Sequence, residues 1–501
     1  MTDYNVAIDF GNSNIKVATI DKGKIRIFPF NNHGSNEGYI QNKIYYTNNE
    51  FFIGKIAEIK AGIDKNEDEV IYEIKQKLES KDWKIFLSSL NTEKTSVDVI
   101  GDILNELRKK IKEKNGNREI DNCIITVPVN FSELQKEKIK KACEKINLPL
   151  VALISEPIAG GLRMLEEEIE DLDDDEEKNV LVFDCGGGTL DIALLNFSKD
   201  DDNLNFRVLD SIGMNYGGIY INELIFEKCL LPKLKDSSFL KEKKYKLKVL
   251  SEIEKAKISC LGSEEEEEYE IILQDSEFDF KIESECITIS KKDMEEVIFK
   301  SDLENAVKDM FDYLLENEGL EKEDIAKVII MGGTSKILCI QEMIKNYFDD
   351  EDIFDIEDLD DDEIYYSVPQ GAATYLKNLL EKNSHLTIEN KNPYQLIAEQ
   401  KNGREVIILT KDTTFETETP PKRFKTISKN GEEKEAFLYQ KFKTFGRDKE
   451  LKVSIGKVKC NKSKFEDFIY YRFSVNKYGE IKCKFYNNED FIEESNIILE
   501  D

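Results

Sequence analysis

Two stretches written in the same order of residue types decide the fold: "NVAIDFGNSNIKVATI" at Asn5–Ile20 and "NVLVFDCGGGTLDIALL" at Asn179–Leu195. Each runs from apolar residues to an aspartate (Asp9, Asp184), a glycine turn and a second apolar run. Such a run, cut once by glycine, predicts a buried strand that reverses and pairs with its own continuation. Gly11, Gly186, Gly187 and Gly188 have no side chain, so the backbone amides of each turn can approach an anion closely. The result is a phosphate cradle without the lysine of a P-loop. Asp9 and Asp184 stand at the strand ends beside the turns, where two facing carboxylates can hold a hydrated magnesium ion. Ser13 and Thr189 bring hydroxyls to the same place. Glycine hairpins are common singly; two in matching frames, with a third glycine turn in "VIIMGGTSKI" (Val328–Ile337), point to an ATP site between two halves of one α/β module.

The totals narrow the alternatives. At 501 residues the chain exceeds the ~250–300 at which one hydrophobic core stops growing, so two or more domains are expected. With 102 acidic against 71 basic residues, a net charge of -31 argues against nucleic acid or anionic membrane as partner. No apolar stretch approaches the roughly 18–20 residues of a membrane span, and no basic-then-apolar leader precedes Val6. The nine cysteines are scattered without a C-x-x-C pair, which suits a reducing, cytoplasmic setting. His33 and His385 are the only histidines, so the chemistry is expected to run on carboxylates, lysines, hydroxyls or amides, and the count argues against a Ser-His-Asp hydrolase. The acidic runs at 166–178, 264–268 and 349–363 lack the alternating ligands and central glycine of a calcium loop and read as exposed loops.

Mixed strand and helix patterns fill residues 1–382, in a first half of about 1–177, a second of about 178–360 and a returning helix at about 369–382. Residues 383–392 read as a linker. From 393 to 501 short alternating runs separated by polar turns predict an antiparallel β-sandwich.

"IDFGNSN", "LVFDCGGGTLD", "ITVPVNFSELQ", "LISEPIAGGL" and "MGGTSKI" together resemble the ATPase superfamily of actin, sugar kinases and the seventy-kilodalton heat-shock chaperones, most closely the heat shock protein 70 family. The likeness runs from Asn5 to about Lys382, with weaker similarity to the family's substrate-binding sandwich beyond. It implies a duplicated ribonuclease H-like (actin-like) two-lobed ATPase domain followed by an all-β domain. It also implies ATP/ADP and Mg2+ as cofactors, unfolded or extended polypeptide as client, and a co-chaperone or nucleotide-exchange partner.

Carried over by position, Asp9, Asp184 and Glu156 surround the magnesium, mostly through water. Lys75 touches the γ-phosphate and the attacking water, and Thr189 and Asp191 complete the catalytic set. Amides near Gly11, Asn12, Ser13, Asn14, near Gly186–Thr189 and at Gly217 and Gly218 hold phosphate oxygens, while Glu254, Lys257, Gly332, Gly333, Thr334 and Lys336 serve the nucleoside. The chain departs from the pattern at several places: Asn12 and Ser13 replace threonines, Lys336 and Ile258 replace arginines, and Tyr365 replaces an acidic residue. The leucine-rich connector is reduced to Leu386 and Ile388 in "SHLTIENKN". Because the sequence stops soon after the last strand-like run, no helical lid is expected, and peptide held by the sandwich should exchange quickly. A chaperone-like, slow ATPase is the leading expectation; an actin-like cytoskeletal ATPase, a small-molecule kinase and an ATP-switched interaction protein with little hydrolysis are the alternatives.

Overall fold

The computed structural model describes residues 3–32, 35–48, 50–80, 82–165, 176–200, 203–262, 266–278, 283–348, 361–381, 386–391, 394–399, 405–411, 413–414, 417–420, 422–425, 433–443, 450–461, 468–476, 481–487 and 490–496. Of the acidic runs, residues 166–175, 264–265 and 349–360 lie outside this set.

The first apolar run forms β1 (Tyr4–Phe10), buried throughout, and returns antiparallel as β2 (Asn14–Asp21), with Ile8 opposite Val17 and Asp9 opposite Lys16. β3 (Lys24–Ile27) continues the meander. On the other edge β4 (Asn122–Val127) pairs parallel to β1, and β5 (Leu150–Ser155) parallel to β4. Parallel neighbours need crossovers, which α1 (Ser96–Lys114) and α2 (Glu133–Lys145) supply. Both helices start on capping boxes, Thr95 with Asp98 and Ser132 with Gln135, so their first free amides are satisfied locally. α3 (Glu156–Met164) leaves the end of β5 directly, with Pro157 in its first turn.

The second sheet repeats the plan. β6 (Glu177–Cys185), β7 (Leu190–Asp200) and β8 (Asn203–Met214) form an antiparallel meander, and β9 (Ile325–Met331) pairs parallel to β6. α4 (Gly218–Ile225), α5 (Lys243–Leu261) and α6 (Leu303–Glu318) follow β8 and bury their apolar faces in the second unit's core.

α7 (Asp361–Leu380) joins the two units. A third core cluster takes Ala7 and Ala18 from the first sheet, Val180, Val182 and Ile329 from the second, and Ala372 and Leu376 from α7. α7 crosses α3 so closely that a Cβ on Gly371 would lie 1.6 Å from the carbonyl oxygen of Ala159. The helix starts eight residues before the position expected from sequence and runs through Pro369. Proline there removes the amide that would bond the Tyr365 carbonyl, at a cost of about 3 kcal/mol. Burial of Val368, Ala372, Tyr375 and Leu376 on both sides of it offsets that cost.

The stretch read as a linker contains β10 (Leu386–Glu389), which extends the second sheet parallel to β8, with Leu386 opposite Leu204 and Ile388 opposite Phe206. Asn378 of α7 donates a hydrogen bond to the Leu386 carbonyl. Residues 382–385, 392 and 393 lie outside the described set. Beyond them only strands occur among the described residues, in one sheet ordered Glu405–Leu409, Gln395–Glu399, Glu433–Lys443, Glu450–Asn461 and a second built on Phe468–Val475 and Ile481–Asn487. Leu396, Ile408 and Leu438 of one sheet share a core with Phe473, Val475, Cys483 and Phe485 of the other. No helix among the described residues is long and apolar enough to cross a membrane.

The C-terminal sheets grip both α/β units. At the start of α2 the Glu133 amide donates to Gln440 Oε1 (2.7 Å), while the Tyr394 hydroxyl donates to Glu133 Oε1 (2.8 Å). On the second unit Lys411 pairs with Asp210 of β8 and stands 4.3 Å above the Tyr313 ring, and Lys391 lies 3.4 Å from Glu318. Burial alone would push the Glu133 carboxyl up; the charge and hydrogen bond of Lys136, the Lys140 charge and the Tyr394 hydroxyl outweigh it and hold the group below its ordinary 4.5. A carboxyl lowered in the folded state contributes its full stabilisation above 4.5 and loses it as pH falls through the lowered value. Thermal melts of the parent should therefore fall more steeply with acidification from about pH 5 to about pH 3 than those of Glu133→Gln. Equal slopes would remove Glu133 from this contact.

Candidate functional site

The glycine turns of the two hairpins meet. A Cβ on Gly187 would lie 2.5 Å from Ser13 Oγ, and one on Gly188 would lie 1.9 Å from Asn12 Nδ2. The first turn is pinned by Asn42, whose side-chain amide donates to the Gly11 carbonyl (2.7 Å) and whose backbone amide donates to that of Ser13 (2.8 Å). The second turn is also the anchor for the third and for the segment before α4. Thr334 Oγ1 donates to the Gly186 carbonyl (2.8 Å), as does the Gly218 amide (3.1 Å). Ser335 Oγ accepts from the Cys185 amide (3.1 Å). Gly332, at φ +85, presses on the same spot: a Cβ there would meet the Cys185 carbonyl at 2.4 Å and Asp184 Oδ1 at 2.6 Å. All four glycine segments singled out in the sequence thus converge. One detail differs from expectation, since the Gly218 amide is taken by Gly186 and does not face outward.

Four carboxylates gather behind the turns. Asp184 and Asp191 sit opposite each other across the β6–β7 hairpin, and Asp191 Oδ1 accepts from the Val129 amide (3.0 Å). Asp9 Oδ1 accepts from Thr126 Oγ1 (3.1 Å), and its other oxygen pairs with Lys16 Nζ (3.0 Å). Glu156, at the head of α3, pairs with Lys75. Lys75 is only 2% exposed, with its ammonium 5.5 Å from the centre of the Phe131 ring; it is no solvated helix lysine. Burial pushes the Asp184 carboxyl well up, reinforced by the charges of Glu156, Asp191 and Asp9. Burial and Glu156 push Asp191 to about 7, against the bonds from Thr189 and Val129 and the charge of Lys75. Burial raises Glu156 too, opposed by Lys75.

These groups fit a hydrated dication. Carboxylates raised by burial and then by mutual repulsion are relieved by added positive charge. Asn12 Oδ1 is buried without a hydrogen-bond partner among the described residues, an acceptor that water around an ion can satisfy. Among the described residues no three His, Cys, Asp or Glu side chains are grouped as direct metal ligands.

Beside Lys75 and Thr189 a cavity of about 240 Å³ opens between the two units, lined by Asn12 and Phe131 on one side and Gly188 and Tyr220 on the other. It is smaller than the ~300–1,000 Å³ of common small-molecule pockets. Asn215 bridges it, donating to Glu79 Oε1 (3.2 Å) and accepting from Asn130 Nδ2 (3.2 Å). On α5, Lys257 is buried and bonded to the Gly218 carbonyl (3.1 Å) and to the more exposed Glu254 (2.8 Å), so the lysine is fixed against the fourth glycine segment. Ile258 beside it is 63% exposed. Lys336 ends the short helical turn Gly333–Lys336 after β9.

Sequence reasoning missed Lys16, Thr126, Asn42, Ser335 and Asn215. Lys16 had a signal, because a hairpin centred between Asn12 and Ser13 puts it opposite Asp9. Thr126 and Ser335 stand inside the quoted "ITVPVNFSELQ" and "MGGTSKI" stretches but carry no mark of their partners there, and Asn42 and Asn215 lie outside the quoted stretches.

Two α/β sheets of one plan, with glycine turns interlocked over buried carboxylates and lysines, define a mixed α/β protein. Comparison with protein families matches residues 5–462 to the family described as Hsp70 protein. The chain belongs to the Hsp70 family. Members of that family are ATPases that use ATP or ADP with Mg2+ and act as chaperones on unfolded polypeptides, with co-chaperones.

The packing at Gly332 gives a direct check. Gly332→Ala should destabilise the protein by about 1–3 kcal/mol, because positive φ and a backbone clash act together. Gly333→Ala, where a Cβ meets nothing within 4 Å, should change stability by less than about 0.5 kcal/mol. Similar urea midpoints for the two variants would contradict the packing described.

Proposed function

We propose that this chain is a chaperone ATPase whose α/β part forms two lobes that bind and slowly hydrolyse MgATP at the interlocked turns. In this reading the C-terminal sheets form a sandwich that holds an extended polypeptide weakly. The observation that carries it is the buried Lys75–Glu156 pair beside Thr189, at the edge of the cavity between the units. A lysine kept out of water next to a hydroxyl and a carboxylate cluster is costly to build, and it serves where anionic charge has to be offset in the transition state.

Magnesium, when bound, supplies charge neutralisation along the phosphates; Asp9, Asp184 and Glu156 are the residues to hold it, through water. The chain's own groups do the rest. Lys75 offsets the charge on the terminal phosphoryl group, and Thr189 and Asp191 orient the attacking water. In the second turn the amides of Gly187 and Gly188 are the ones to face phosphate, since the Gly186 and Gly218 amides bond to the carbonyls of Thr189 and Gly186. Lys257, Glu254, Lys336 and the exposed face of Ile258 border the nucleoside.

Admission of a nucleotide parts Asn12 and Ser13 from Gly188 and Gly187 and strains the Asn215 bridge. The C-terminal sheets would register that movement, because Glu133 ties them to one unit and Asp210 to the other. β10, paired into the second sheet, supports the same coupling. β-strand addition is the mode by which such sheets hold an extended chain.

Lys75→Ala and Thr189→Ala should each lower ATP turnover at least about 100-fold while ATP binding persists, the scale of one lost electrostatic contact in a transition state. Parent-like turnover in both would refute the assigned roles. Peptide affinity measured with ATP, with ADP and without nucleotide should differ in the parent, and the difference should shrink in Lys411→Met, which severs the tie to Asp210. Identical peptide affinity in all three nucleotide conditions for the parent would reject coupling.

A further inference from the structure

Lys16 is the charged group of the site that neither the sequence motifs nor the reading above gives a task. It projects from β2 opposite Asp9, is 14% exposed, and sits beside the first glycine turn. Its ammonium makes one hydrogen bond among the described residues, to Asp9 Oδ2 at 3.0 Å, and rests 4.3 Å above the Tyr365 ring. The ring is itself fixed, since the Tyr365 hydroxyl accepts from Asn14 Nδ2 at 3.0 Å on the same hairpin. An ammonium carries three donors, so two remain for an incoming acceptor. Asp9 does not depend on Lys16 alone, because Thr126 holds its other oxygen at 3.1 Å. The lysine can therefore swing from Asp9 without leaving that carboxylate unpaired.

Charge counting points the same way. Asp9, Glu156, Asp184 and Asp191 face only Lys16 and Lys75 as described ammonium partners, and Lys75 is locked to Glu156 in the interior. A polyphosphate bringing further negative charge to the first turn meets one cation that is both near the turn and incompletely bonded. We propose that Lys16 is a phosphate-binding residue: it exchanges Asp9 for a phosphate oxygen of the bound nucleotide, held in line by the Tyr365 ring. Lys16 thus supplies positive charge at the phosphates independently of the metal. Asn14, Lys16 and Tyr365 act as one unit, which ties α7 to the nucleotide.

This inference rests on the nucleotide reading above, and one titration series separates the two. Affinities of the full-length protein for ATP, ADP and adenosine are measured by calorimetry, each in excess magnesium and in EDTA, for the parent, Lys16→Met and Lys16→Arg. Lys16→Met should lose about tenfold or more in ATP affinity, the scale of one charge-assisted hydrogen bond, with the larger loss in EDTA. Adenosine affinity should stay within about twofold of the parent, which also certifies that the variant is folded, and Lys16→Arg should recover most of the ATP affinity. A role confined to supporting Asp9 predicts equal losses for ATP and adenosine, and that result would overturn the proposal. So would unchanged ATP affinity in Lys16→Met, with the nucleotide reading left standing. A parent that binds neither ATP nor adenosine in either buffer would remove both.

Discussion

At Gly186–Gly188 three other segments of chain close on one turn, and no Cβ fits at the contacts with Asn12 and Ser13. That steric demand fixes the relation of the two hairpins, because each must present its turn to the other. It also sets where the charged side chains fall. Asp9 and Asp184 precede their turns by one or two residues, so bringing the turns together brings the carboxylates together. The burial and mutual repulsion that raise Asp184 and Asp191 are a by-product of glycine packing.

A site of this kind weakens the fold that carries it. Buried carboxylates and an enclosed lysine cost several kcal/mol before any partner arrives, and ligand binding returns part of that cost. The remaining architecture supplies what the site lacks. Three extensive apolar cores surround the two sheets, and the capping boxes on α1 and α2 hold the crossovers that deliver β4 and β5. Stability is concentrated in the frame, and strain at the place where the units meet.

Sequence legibility followed the range of the interactions. The hairpins β1–β2 and β6–β7 could be read because strand, turn and return strand are adjacent and their apolar runs are uninterrupted. Lys75 drew notice only through resemblance to a motif; its partner Glu156 lies 81 positions away, a pairing that no local pattern encodes. The early start of α7 was hidden by Pro369, whose local preference opposes a helix that tertiary burial sustains. β10 was hidden for a different reason. Four residues with two apolar members look like a connector until β8 offers an edge. The C-terminal strands were legible as strands from their alternation, whereas their order depends on pairings across loops.

The third core cluster has a consequence for biosynthesis. It is complete only when Ala372 and Leu376 of α7 settle against Ala7 and Ala18 from the first hairpin, so its two ends are separated by almost the whole α/β part of the chain. Contacts of such separation close late, and the apolar face of the first sheet stays uncovered while several hundred residues are still being translated. A nascent chain of this kind is itself an aggregation-prone client until α7 clears the ribosome.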